Sequence, residues 1–449
     1  MTYESNLSVF TQWIDTNNAG QEEFIQAVAE VAEDIMPIIN ANEAYKHHQV
    51  LYQLAEPDRI ISFKVVWESD NGEVNINRGW RVQQSNVLGP YKGGLRFHPS
   101  VSESVFKFLA FEQCFKNALT GLPLGGAKGG SDFNPKGRSN AEIMRFCQAF
   151  MFELYRHIGP QTDVPAGDIN VGQREIGYLY GQYRRLANEF AGSITGKPMD
   201  FGGSHVRQEA TGFGIIYFTE SVLETLDETL AGKRINISGA GNVATYAALK
   251  AVELDACVST LSNNRGTLHV KNGLQTQHIQ HIIDDQESDN PLESIAESAN
   301  GEWLPNAKPW SLACDIAIPC ATQNELDEDD AKLLVKQQVV AVIEGANMPL
   351  TANASKAIKK AGITHVPGKA ANAGGVAMSG FEMGQNAQFQ QLSFKELDTR
   401  LKGVMAHIHQ QCVEDGKVQQ STYNLVDYAR GANVAAFRKL ADAIVAQGY

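Results

Sequence analysis

Residues 234–254 read RINISGAGNVATYAALKAVEL. Arg234–Ser238 is a short strand-like run, Gly239-Ala240-Gly241-Asn242-Val243-Ala244 has the spacing G-x-G-x-x-A, and a helix-forming stretch follows. A strand turning through glycines into a helix is the context in which this spacing binds dinucleotides. Gly239 permits the tight turn, Gly241 lets backbone approach a pyrophosphate, and Ala244 allows close helix–strand packing. The phosphates would sit where free N–H groups point out of the helix N-terminus. Such a loop alone can equally be an ordinary tight turn, so its surroundings decide. Apolar runs at 234–238, 256–261, 315–320, 339–344 and 363–367 alternate with helical patterns, which predicts a parallel, doubly wound sheet. The polar segment 269–305 reads as surface helices.

An NAD site carries Asp or Glu about 20 residues beyond the loop. Here the stretch is Ser262-Asn263-Asn264-Arg265, with no carboxylate and one cation. A 2′-phosphate fits, with Arg265 as its partner, and NADP is favoured over NAD. A polar turn with a solvated arginine is the alternative.

Working outward, residues 1–60 read as amphipathic helices, and from Ile60 two strand-like runs flank Asp70-Asn71-Gly72, a hairpin signal. GPYKGGLRFHPS (89–100) reads as a Gly/Pro loop. A helix is predicted from about Val101, with Ser100 as N-cap and Glu103 three positions on. GLPLGGAKGGSDFNPKG (121–137) reads as a second Gly-rich loop, followed by a helix over Ala141–His157. It is not a P-loop, because Ala127 separates glycine from Lys128 and no hydroxyl follows the lysine. The loop-like stretch 192–203 is the candidate domain boundary.

The chain has 449 residues, 38 Lys+Arg and 51 Asp+Glu, a net charge of −13, and 43% apolar residues. That composition supports large cores in two or three domains and argues against nucleic-acid or membrane-surface binding, which needs a basic footprint. Yet residues 78–138 hold nine cations (Arg78, Arg81, Lys92, Arg96, Lys107, Lys116, Lys128, Lys136, Arg138) against Glu103, Glu112 and Asp132. Lys92 and Lys128 sit in glycine-rich stretches, and Gln113 and Lys116 share one helix face. Converging cations suit a small dianion; a solvated basic face is the plainer reading. The six cysteines form no Cys-x-x-Cys pair, there is no secretory signal pattern and no membrane-length apolar run, so a soluble cytoplasmic protein is expected. His278 and His281, three apart, and His47-His48 lack a supporting carboxylate pattern, so no metal is expected.

Eight ordered blocks carry a resemblance over essentially the whole chain: PYKGGLRFHPS, FEQCFKNALTGLPLGGAKGG, VPAGDINVGQREIGYLYG, TGKPMDFGGSHVRQEATGFG, GAGNVA, IPCATQNEL, EGANMP and PGKAANAGGVAMSGFEMGQN. The chain resembles the hexameric, shorter-subunit glutamate dehydrogenases of the Glu/Leu/Phe/Val dehydrogenase family. The resemblance implies reversible oxidative deamination of L-glutamate to 2-oxoglutarate and ammonium with NADP or NAD, in a homohexamer. It implies that Lys92 and Ser379 hold the side-chain carboxylate, Gln113 and Lys116 the α-carboxylate, that Lys128 is the catalytic lysine, and that Asp168 transfers protons. Gly167 and Arg207 fall to the substrate site by the same resemblance. Thr211, Gly239, Gly241, Asn242, Val243, Ser262, Asn263, Arg265, Asn347 and Asn372 fall to the dinucleotide site. Many members have an acidic residue where this chain has Asn263.

A lysine with an ordinary pKa near ~10.4 is a poor base at neutral pH. Crowding of Lys92, Lys116 and Lys128 is expected to lower at least one of them. On residue types alone, Asp168 could instead cap the helix near Val171–Tyr180, and Ser379 could ease a tight backbone beside Gly380. The rivals are a branched-chain or aromatic amino-acid dehydrogenase, where a cation at Lys92 would be misplaced, and a non-catalytic dinucleotide sensor, which needs neither Lys128 nor Asp168. The expected architecture is α/β, two domains separated by a cleft. Residues 1–200, joined by 423–449 as the resemblance implies, are expected to form the substrate and oligomerisation domain, and residues 201–422 the Rossmann-like domain.

Overall fold

Two separate sheets organise the chain in a computed structural model that describes residues 6–285, 290–417 and 426–448. The chain divides into two compact units: Met1–Arg207 with Val376–Leu397 and Asn433–Tyr449, and Gln208–Gly375 with Asp398–Ala432. The first crossing falls after Arg207 instead of residue 200, and Val376–Leu397 groups with the first unit, which the sequence reading did not anticipate. The expected boundary at 422/423 lies outside the described residues.

The first unit opens with α1 (Leu7–Asn17), α2 (Glu22–Asn40), α3 (Glu43–His47) and α4 (Val50–Ala55). Their apolar stripes bury Phe10, Ile14, Phe24, Val28, Val31 and Ile35. β1 (Arg59–Glu68) and β2 (Val74–Ser85) form the expected antiparallel hairpin, with Gly72 supplying φ +83° in its turn. β3 (Tyr91–Phe97) corrects the loop expected at 89–100. α5 (Glu103–Leu119) follows, capped by Ser102, whose Oγ accepts from the Val105 amide at 3.2 Å. Ser100 is not the cap: its amide donates to His98 Nδ1 in the preceding turn.

β4 (Gly126–Ser131) corrects the second expected loop. α6 (Asn140–Leu154), β5 (Asp163–Gly167) and α7 (Gln173–Ala187) complete this part, and the sheet order is β1-β2-β4-β3-β5. Both missed strands are glycine-rich because their neighbours leave no room for side chains. A Cβ at Gly93 would lie 1.6 Å from the Ala127 carbonyl oxygen, and one at Gly129 would lie 2.4 Å from that of Trp80. Glycine ordinarily weakens a strand, so tertiary packing overrides local preference here. Trp67, Phe97, Phe133, Phe146 and Phe150 pack between sheet and helices, with Phe133 stacked on Phe146 at 3.8 Å. Each such burial contributes about 1.5–3 kcal/mol.

In the second unit, α8 (Ala210–Thr225) leads to β6 (Arg234–Ile237), α9 (Asn242–Glu253) and β7 (Cys257–Asn263). β8 (Gly266–His269), α10 (Thr276–Asp284), α11 (Pro291–Ser294) and β9 (Glu302–Pro305) come next, then β10 (Ile316–Ile318), α12 (Glu328–Gln337), β11 (Ala341–Ile343), α13 (Ala352–Lys360), β12 (Thr364–Val366) and α14 (Gly368–Ala371). The sheet order is β12-β11-β10-β6-β7-β8-β9, parallel from β12 to β7 and antiparallel at β8 and β9. The five expected strands are all present. β8 and β9 are additions within and beside the segment read as surface helices; β8 pairs back on β7 through the short Asn264-Arg265 turn. Ile235, Ile237, Val258, Leu261, Ile316 and Val342 are wholly buried, which is why the parallel strands read as continuous apolar runs. Of the last helices, α15 (Gly374–Gln388) lies almost wholly in the first unit, α16 (Phe394–Gly416) mostly in the second, and α17 (Tyr428–Gln447) begins in the second and continues in the first.

Candidate active site

In the first unit, β3 runs parallel to both β4 and β5, with Leu95 level with Gly129 and Gly167. Alternation along β3 puts Lys92, Gly94 and Arg96 on one face. Lys128 stands on β4, and Asp168 follows the last residue of β5. The Lys128 Nζ donates to Asp168 Oδ1 at 2.7 Å, and the Arg96 Nε donates to Asp168 Oδ2 at 2.7 Å. Gly94 makes this possible, since a Cβ there would lie 2.8 Å from the Asp168 Cβ and 3.3 Å from the Lys128 Nζ. Asp168 is not a helix cap: the N-cap of α7 is Gly172.

Electrostatics follow from burial and from these pairs. Burial alone would raise the Asp168 carboxyl, but Lys128 and Arg96 outweigh it and hold it well below the usual carboxylate range. Burial pushes the Lys128 ammonium down, with Asp168 opposing. Burial, then the nearby Lys128, brings Lys116 down to about 8. Lys92 is also pushed well down, by burial first and then by Arg207 and Arg81, with Glu382 and Asp163 opposing. The expected crowding of three lysines is therefore revised. Burial is the largest cause throughout, and the leading charged neighbours of Lys92 are arginines.

Lys92 is 1% exposed, and its ammonium donates to one backbone oxygen, that of Val164, at 2.9 Å. Beneath it lies a buried network. Arg81 donates to Asp163 through Nε at 2.9 Å and to the Gly93 oxygen through Nη1 at 3.0 Å, while the Gln83 amide donates to Asp163 at 2.9 Å. Asn117 on α5 donates to the Lys92 oxygen at 3.1 Å and accepts from Gln113 at 2.7 Å. Ser379 is buried on α15, three residues before Glu382. Glu382 in turn accepts from Lys197 Nζ at 2.7 Å and from the Gly196 amide at 2.8 Å.

Gly196, at φ +87°, lies where a Cβ would be 4.0 Å from both the Gly167 amide and an Arg207 Nη. Arg207 follows Val206, a buried β-branched residue at φ +63°. That conformation costs on the order of 1–3 kcal/mol and has to be held by its surroundings. The Arg207 Nε and the Thr195 Oγ1 are buried without a hydrogen-bond partner among the described residues. The sequence singles out Arg81 and Arg96 only as members of the basic stretch, and gives no role to Asp163, Thr195, Lys197 or Glu382. Period-2 alternation in YKGGLRF would have paired Arg96 with Lys92, had that stretch been read as a strand.

In the second unit, Gly239 takes φ +89° and its amide donates to the Ser262 Oγ at 3.2 Å, so the end of β7 braces the glycine turn. Gly241 is the N-cap of α9 and supplies no side-chain cap; a Cβ on it would meet nothing within 4 Å. An uncapped helix N-terminus under open space fits a pyrophosphate. Asn372 donates to the Asn347 Oδ1 at 3.0 Å and to the Gly345 oxygen at 3.0 Å, near the ends of β11 and α14. Thr211 lies in the first turn of α8. The Asn263 amide donates to Asn290 at 3.0 Å, and Arg265 is exposed in the β7–β8 turn. His278 accepts from the Gln275 amide at the start of α10, and His47 packs edge-on against His48.

Two family models account for most of the chain: Glutamate/Leucine/Phenylalanine/Valine dehydrogenase over residues 202–448, and the Glu/Leu/Phe/Val dehydrogenase dimerisation domain over residues 57–185. The chain belongs to this dehydrogenase family. Among its relatives is the NADP-specific glutamate dehydrogenase of Psychrobacter sp. (strain TAD1), 50% identical over 99% of both chains. The NAD-specific glutamate dehydrogenase of Bacteroides fragilis is 47% identical over 99% of both chains. The crystal structure of Plasmodium falciparum glutamate dehydrogenase superposes with a TM-score of 0.95 at 47% identity, covering 99% of this chain and 94% of that one. Dehydrogenases of this family with opposite cofactor names thus differ from this chain to nearly the same extent. Overall identity therefore does not separate NADP from NAD.

Proposed function

We propose that this dehydrogenase is an NADP-dependent glutamate dehydrogenase, converting L-glutamate, water and NADP⁺ to 2-oxoglutarate, ammonium, NADPH and a proton, and the reverse. The observation that carries this reading is Lys92: a fully buried ammonium with one backbone acceptor and no side-chain acceptor among the described residues. A substrate side-chain carboxylate supplies what it lacks. An alkyl or aromatic side chain would leave this buried donor without the partner it lacks. Ser379 and Lys92 are assigned to that carboxylate, and Gln113 and Lys116 to the α-carboxylate. Gly167 and Arg207 are assigned to the same site.

A bound nicotinamide would supply the acceptor for the hydride on Cα. The residues Gly239–Val243, Ser262, Asn263, Arg265, Thr211, Asn347 and Asn372 are assigned to holding the dinucleotide. The chain's own chemistry concerns protons. Asp168 exchanges them with the substrate nitrogen, and Lys128, with its proton affinity reduced by burial, accepts one from the water that attacks the iminium carbon. An NAD-using enzyme is the second reading, favoured by the exposure of Arg265 and by the Asn263–Asn290 bond, which occupies the Asn263 amide.

Initial rates with purified protein, 2-oxoglutarate and ammonium test the reading directly. A large NADPH preference supports it; NADH preference keeps the enzyme and overturns the Ser262–Arg265 assignment. Turnover confined to a branched-chain oxo acid overturns the role given to Lys92. A homohexamer in the cytoplasm completes the proposal. Six unpaired cysteines suit a reducing compartment. Val74 and Ile76, 68% and 69% exposed along the edge hairpin, suit burial against other subunits.

A further inference from the structure

Asp168 has two carboxylate oxygens and each is taken by a different strand. Oδ1 accepts from Lys128 on β4 and Oδ2 from Arg96 on β3, both at 2.7 Å. The side chains of Arg96 and Asp168 are only 16% and 17% exposed, so this is not a solvated surface pair. Gly94, beside them on β3, brings bare backbone against the Asp168 Cβ. The carboxylate is thus walled by one strand and gripped from the next residue along the same face. We propose that Arg96 is a positioning residue for the proton transfer: it fixes the rotation of the Asp168 carboxylate so that Oδ1 alone serves Lys128 and the substrate nitrogen.

This rests on the acid/base role proposed for Asp168. In glutamate oxidation the substrate ammonium gives a proton to the carboxylate; the N–H electron pair stays on nitrogen, an O–H bond forms, and the carboxyl later releases that proton to solvent. A carboxylate free to rotate would offer either oxygen and spend part of its time facing away. Its charge matters as well. Facing Asp168 are Lys128 from β4, Arg96 from β3 and Lys116 from α5, with Arg81, Glu112 and Arg207 acting on those lysines. Removing Arg96 takes away one of the two cations that hold the carboxyl down, so the carboxyl takes up its proton at a higher pH.

The test is steady-state glutamate oxidation by the full-length enzyme with NADP⁺, at one fixed pH, in Arg96→Gln, Arg96→Lys and Asp168→Asn. Arg96→Gln is expected to lower kcat about 100-fold with KM for glutamate within about threefold. Arg96→Lys, which keeps one cationic donor, should restore most of the rate. If Arg96→Gln does not fold, as judged by its melting curve, Arg96→Lys decides: an intermediate loss of kcat at unchanged KM is expected there, and an unchanged kcat overturns the proposal. Unchanged kcat in a folded Arg96→Gln overturns it as well. So do equal losses in both Arg96 variants, which mark a purely structural residue. Asp168→Asn separates the two levels: if it retains turnover, the acid/base reading falls and this proposal with it. If it is inactive while Arg96→Gln behaves as wild type, only the role of Arg96 is lost.

Discussion

Lys128 and Asp168 are forty positions apart in the chain and meet because β4 and β5 flank β3 on opposite sides. The contact makes Lys128 a group whose replacement should spare the dinucleotide unit. Lys128→Ala is expected to lower kcat by at least about 100-fold while leaving NADPH affinity unchanged in a fluorescence titration. Retained turnover would refute the mechanism. Lys116 provides a pH test. Its pKa of about 8 means that it is cationic below that pH and neutral above it. Binding of glutarate, an unreactive dicarboxylate, should therefore weaken as pH rises through about 8, and Lys116→Arg should move the weakening to higher pH; a flat profile from pH 7 to 9 in the wild type would contradict the assignment.

At the scale of elements, the hairpin, the helices and the five parallel strands of the second unit were legible because each carries its own periodicity or turn signal. The sequence places the cap of α5 two residues early, since Ser100 and Ser102 both suit a cap and only the fold commits Ser100 to His98. Ser102→Ala is expected to cost about 1 kcal/mol in urea unfolding, and Ser100→Ala less. β3 and β4 read as loops in the sequence because their glycines are turn signals, and in β3 Gly93-Gly94 interrupt the alternation of Tyr91, Leu95 and Phe97 with Lys92 and Arg96. Gly93→Ala should destabilise by about 3 kcal/mol or more, as its methyl would collide with the Ala127 oxygen. In contrast, Gly181→Ala, inside α7 with open space around the added carbon, should stabilise by about 0.5–1 kcal/mol. Equal effects of the two substitutions would mean that β3 and β4 are not packed this closely.

For the whole molecule, sedimentation equilibrium should give six copies of a 49.1 kDa chain; a monomer would remove the oligomeric part of the proposal. Local chemistry in the sequence determined the glycine turn into α9, the amphipathic helices and the excess of cations between residues 78 and 138, because each is a property of neighbours along the chain. Tertiary structure alone decided that 376–397 belongs with the first unit, that Arg96 and Lys128 divide the Asp168 carboxylate, and that burial and then two arginines, instead of neighbouring lysines, push Lys92 down. The reason is physical. Protonation depends on burial and on charges brought close by folding, and a glycine strand is defined by the neighbours that press against it.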